Sequence, residues 1–222
     1  MMTSFLHSVR GAFLLAALFA FLFNVSLALP QADGTPKDFK LLTKAEIIHS
    51  AEVGDLEIVP GPGLPSLESL NLTSRDLVVR AFERMERIKE SHDDSLEKRY
   101  TPTCDNVLMY GEGGWFCFEY LLSLGQANCI VPPWGARFCH TNYSVYVYEV
   151  AWYGATNGLG PNDWTQSKCH EVANAGIWIL HNCHTPYGGA QMQHGGTEAP
   201  WNNQNLVVRI GHKGWWDNQL GF

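Results

Sequence analysis

The chain has 222 residues, of which 45% are hydrophobic and 17% charged, with a formal net charge of −7. That length suffices to bury a core. The acidic balance repels phosphate backbones, and with no basic cluster and no reader motif it excludes nucleic acid as a partner.

In chain order, the first segment places Arg10 ahead of an apolar run over 11–23, followed by small residues around Ala28. This pattern is expected to be a signal peptide covering 1–28, so the product is expected to be secreted. The run breaks at Asn24 and meets Pro30, and no second stretch of spanning length follows, so no stable membrane anchor is expected. Residues 29–99 read as a propeptide, ended by the dibasic pair Lys98-Arg99, which resembles the target of kexin-type processing proteases. Composition changes sharply there. Every Trp, Tyr and Cys follows Arg99, whereas ten of the fifteen Lys and Arg lie in 29–99.

The propeptide is polar, is broken by Pro60, Pro62 and Pro65, and reads as mostly disordered by itself. Its exception is 74–91, where Leu77, Val78, Ala81, Phe82, Met85 and Ile88 recur at amphipathic-helix spacing and Thr73 with Asp76 resembles a cap. Such a helix should either lean on the mature domain as that folds or stand solvated and docked on nothing. Asn71 begins a glycosylation sequon, and Asn142 begins a second.

The mature domain, 100–222, holds eight acidic residues against Arg137, Lys168, Arg209 and Lys213. Two helices are expected. The first covers 115–124 and stops at Gly125; the second covers 166–182, with Cys169, Val172, Ala173, Gly176, Leu180 and Cys183 on its inner stripe. Strands are expected at 107–110, 129–131, 137–140, 144–153 and 205–210, the long one alternating as a half-exposed strand does. This order favours an α+β fold, an antiparallel sheet with two helices packed on one face and stapled by disulfides.

The cysteine pattern resembles that of the fungal killer toxins of the corn-smut type and their secreted relatives. It rests on Cys129, on Gly135-Ala136-Arg137-Phe138-Cys139 leading into 144–147, on the helix between Cys169 and Cys183, and on the closing Asn205-Leu206-Val207-Val208-Arg209-Ile210. The resemblance implies the same antiparallel sheet with two helices on one side, and no catalytic site. It also implies disulfides Cys129–Cys169 and Cys104–Cys183, which leaves Cys117 with Cys139. The family's antagonism of calcium uptake depends on a basic residue two places before a cysteine, and Arg137 occupies that position. The chain departs from the family in having fewer cysteines and an acidic mature domain.

Other chemistry has weaker support. His181 and His184 flank Cys183, but thiolate zinc ligands would be oxidised to disulfides outside the cell, so neither metal nor cofactor is expected. No paired carboxylates, no Gly-x-Ser-x-Gly and no phosphate-cradling loop argue for an enzyme. The eight Trp residues are too many for one small core, so some are expected at the surface, with Trp215 and Trp216 as candidate contacts. The sequence therefore reads as a secreted, monomeric, non-enzymatic fungal effector or antifungal protein that acts on a target cell-surface protein or channel. The alternative is a carbohydrate-binding module for cell-wall glycan.

Overall fold

A computed structural model describes residues 42–88, 100–143, 149–183 and 192–220, all within one compact unit. The signal-peptide stretch, Lys98, Arg99, His184, residues 144–148 of the expected long strand and the side chains of Trp215 and Trp216 lie outside that description.

Helix α1 (Lys44–Val53) starts at a capping box in which Glu46 accepts from the Thr43 N–H at 2.7 Å, and it ends at Gly54 with φ +87°. Strand β1 (Leu56–Pro60) follows. Helix α2 (Ser74–Ile88) opens on the expected Thr73–Asp76 pair, with Asp76 Oδ2 accepting from Thr73 N at 2.9 Å and Asp76 N donating to Thr73 Oγ1 at 3.1 Å. Leu77, Val78 and Ala81 are fully buried. The segment that reads as mostly unfolded in isolation thus carries two helices and a strand, because its strand borrows hydrogen bonds from the rest of the chain.

The remaining elements are β2 (Thr103–Tyr110), α3 (Gly111–Ser123), β3 (Asn128–Val131), β4 (Ala136–Tyr143), β5 (Val150–Thr156), β6 (Thr165–Lys168), α4 (Cys169–Asn182), β7 (Met192–Glu198), β8 (Leu206–His212) and α5 (Lys213–Leu220). Six strands form an antiparallel sheet in the order β1-β4-β5-β8-β7-β2, and β3 with β6 makes a separate two-stranded ribbon. The fold is α+β, with α3 and α4 packed on one sheet face. Three disulfides, Cys104–Cys183, Cys117–Cys139 and Cys129–Cys169, are the pairs that the resemblance implies.

Trp152 of β5 is the centre of the helix-covered face. It is fully buried and donates its indole N–H to the Gly114 carbonyl at 3.0 Å. Gly176 of α4 lies so close to it that a Cβ there would stand 2.2 Å from the indole ring, which is why an inner-stripe helix position is glycine. On the opposite face Arg137, Tyr153 and Arg209 stand in one cross-strand row. There α5 is held by Asp217, which accepts from Arg137 at 2.8 and 2.9 Å and from the Tyr153 hydroxyl at 2.7 Å, and by a Lys213–Glu149 pair at 2.8 Å.

Three further sequence expectations change. Helix α3 begins at Gly111, four residues early, because glycine lets its first turn lie close to Gln193 at Gly111 and to Val150 and Thr141 at Gly113, and close to α4 at Gly114, where a Cβ would meet Leu180 at 2.5 Å. Residues 165–168 pair with β3 instead of opening the second helix, which starts at Cys169. The described part of the long strand, Val150 to Tyr153, is buried on both sides rather than half-exposed, since β5 lies between β4 and β8 with helices above and below it.

Candidate functional site

Side chains presented to solvent separate the candidates singled out in the sequence. The six cysteines are all in disulfides, so none is a ligand or nucleophile. Among the described residues no group of three His, Cys, Asp or Glu is arranged to hold a metal. Arg137 is only 19% exposed and its guanidinium is engaged by Asp217, so its placement is that of a clamp on α5. His140, beside it in β4, is held down to a pKa of about 4, first by burial and then by the charges of Arg137 and Lys213, against the pull of Glu149 and Asp217. Asn71 and Asn142 are exposed, Asn71 in the left-handed conformation at the end of a short 3-10 turn, Glu68–Leu70.

Surface tryptophan gathers elsewhere, around the β3–β6 ribbon. Trp134 is 63% exposed, Trp164 58% and Trp201 60%, values unusual for so large an apolar side chain. Each sits on or directly after a turn containing proline. Pro132 O accepts from Gly135 N at 2.9 Å, closing a turn with Pro133 and Trp134 at its centre and Gly135 at φ +89°. Gly160 O accepts from Asp163 N at 3.1 Å across Pro161 and Asn162, with Trp164 next in the chain. Pro200 O accepts from Asn203 N at 3.0 Å, with Trp201 and Asn202 at the tip. Proline fixes φ and the closing hydrogen bond fixes the rest, so the indoles are presented by stiff backbone.

Two of these turns meet, and the third is tied to the ribbon. The Trp134 and Trp164 rings meet edge to face with centroids 5.4 Å apart. The Trp201 turn is tied to β6 by Asn203, whose side-chain amide donates to Thr165 Oγ1 and Gln166 O, both at 2.8 Å. Asn202 donates to Glu171 at 2.7 Å, and Glu171 also accepts from Lys168 N at 3.0 Å at the start of α4. Lys168 Nζ reaches Asn128 Oδ1 at 2.8 Å across the ribbon. The Cys129–Cys169 disulfide and the Cys169 N to Ala127 O bond, 2.9 Å, fix the ribbon to α4.

Between the ribbon and the Trp201 turn lies a cleft of about 430 Å³ lined by Asn128, Gln166, Ser167, Lys168, Glu171, Asn202 and Asn203. Its wall is rich in amides and its one Lys is balanced by one Glu, so it offers neutral donors and acceptors. Ser167, 6% exposed, has a buried hydroxyl with no partner among the described residues. Ile130 adds a half-exposed apolar side chain on the ribbon. Sequence reasoning foresaw exposed Trp but chose Trp215 and Trp216. The signal that marks the ribbon's three is the proline beside each turn.

Residues 98–212 match the family described as a domain of unknown function, DUF8794. Comparison with curated proteins found no match, and neither did comparison with solved structures.

Proposed function

The chain belongs to the DUF8794 family, and for it we propose a secreted, non-enzymatic protein that binds a neutral cell-wall glycan through the tryptophan-rich end of the β3–β6 ribbon. The observation that carries this reading is the set of three turn-held, exposed indoles around the ribbon, with an amide-lined cleft between the ribbon and the turn that carries Trp201. A pyranose ring has an apolar C–H face that rests on an indole and a rim of hydroxyls that exchange hydrogen bonds with Asn, Gln, Ser, Lys and Glu. Because the turns are already rigid, little ordering entropy opposes binding. Three disulfides fit an oxidising, extracellular setting, and among the described residues no helix is long and apolar enough to cross a membrane.

The test is retention on insoluble chitin and on β-glucan, with tryptophan fluorescence titrated by soluble oligosaccharides of each. Retention and a saturable spectral change on one of them is expected. No retention on either, with an unchanged spectrum, defeats the reading.

A second reading, a killer-toxin-like effector that antagonises a channel of a target cell, is supported by the three disulfide pairs and the element order. The engagement of Arg137 by Asp217 favours the glycan reading over it. Inhibition of calcium uptake in fungal cells, lost in Arg137→Ala, would reverse that preference.

A further inference from the structure

Apart from the peptide backbone that runs through Arg99–Tyr100, the segment carrying α1, β1 and α2 is joined to the rest of the molecule by non-covalent contacts. All six cysteines fall between Cys104 and Cys183, so no disulfide reaches it. The family match begins at residue 98, beside the dibasic pair Lys98-Arg99, so the segment lies outside the family's domain. We propose that after a processing protease hydrolyses the Arg99–Tyr100 peptide bond, with water as co-reactant, the segment stays docked as a non-covalent subunit. The working protein is then two chains, and this inference is independent of glycan binding.

The interface has the anatomy of a domain core. Strand β1 pairs with β4 along its whole length, from Leu56 opposite Tyr143 to Pro60 opposite Cys139, and Leu56 and Ile58 are buried. Without β1, β4 would be an edge strand with open hydrogen-bonding groups. Gly61 continues the contact, donating to Phe138 O at 2.7 Å so closely that a Cβ there would lie 1.7 Å from Arg137 O. From α2, Phe82 meets Phe116 edge to face at 6.0 Å, and Arg84 lies over the Phe118 ring at 5.0 Å.

Arg84 also forms an ion pair with Glu119 of α3, whose side chain is only 5% exposed. The Tyr120 hydroxyl donates to Pro65 O at 2.7 Å, and the Tyr143 hydroxyl to Ser50 Oγ at 3.1 Å. Departure of the segment would strip the Glu119 carboxylate of its cation and bare the rings of Phe116 and Tyr120, both fully buried in the docked state. Each of these losses opposes release.

The experiment is to secrete the full chain from a yeast that carries a kexin-type protease and weigh the product without reductant under denaturing and then native conditions. Two chains when denatured, and one particle of their summed mass when native, is the expected result. A native particle that contains residues 100–222 alone overturns the proposal. Should the host leave the bond intact, a site for a sequence-specific protease in place of Lys98-Arg99, cut after purification, gives the same two readings. Arg84→Ala in the cut protein is expected to weaken retention of the segment on gel filtration by at least about tenfold. Unchanged retention in that variant overturns the role given to this interface.

Discussion

The two ends of this molecule use the same residue in opposite ways. Over the sheet, Trp152 is fully buried, its N–H is satisfied by Gly114, and glycines at 114 and 176 let two helices close over it. At the ribbon, Trp134, Trp164 and Trp201 stand in solvent on proline turns. The neighbours decide the difference: glycine admits a close approach that buries an indole, whereas proline stiffens a turn that displays one. Stability should therefore reside at the first end and recognition at the second.

The largest effect is expected at the buried end. Trp152→Ala should cost about 3–5 kcal/mol of stability by opening a cavity under α3 and α4, measured by denaturant unfolding. Acid should act next, on the opposite face of the same sheet, beside α5. His140 has an ordinary value of 6.5 and a folded value of about 4, so below about pH 6.5 the unfolded chain takes up a proton that the folded chain does not. Its contribution is intact above pH 6.5 and is lost as pH falls towards 4, by up to about 3 kcal/mol. His140→Asn should flatten the slope of stability over that window by up to one proton, and an unchanged slope would separate His140 from the acid response.

Arg84→Ala follows in the uncut chain, at about 2 kcal/mol. It strands the Glu119 carboxylate, although the partly exposed Arg84 already shares its charge with water. Smallest in stability is Trp134→Ala, expected to leave the unfolding midpoint within about 0.5 kcal/mol while weakening oligosaccharide binding about five- to tenfold. A variant that lost both together would erase the contrast between the two ends.

Much of the frame was legible from the residues. The stripe from Cys169 to Cys183 and the apolar closing strand are local periodic signals, and the structure keeps both. The Thr73–Asp76 cap is equally local and is made. What escaped depends on distant partners. Strand β7 contains Gly195-Gly196, a poor strand sequence on propensity. It forms because β2 and β8 pair with it on either side, and a Cβ at Gly196 would meet Thr103 O at 2.4 Å. Residues 165–168 carry no mark of their pairing with β3, and β1 is too short to read as a strand until β4 supplies its ladder. For the site, an excess of Trp was visible, whereas the gathering of Trp134, Trp164 and the 201 turn is made by tertiary contacts between three loops.

The most direct test is a fluorescence titration of the folded protein with chitin and β-glucan oligosaccharides, repeated with Trp134, Trp164 and Trp201 all changed to Ala. The account predicts saturable binding to one of the two sugars in the parent and its loss in the triple variant, with the denaturation curve unchanged. Equal binding by parent and triple variant, or no binding by either, would contradict it.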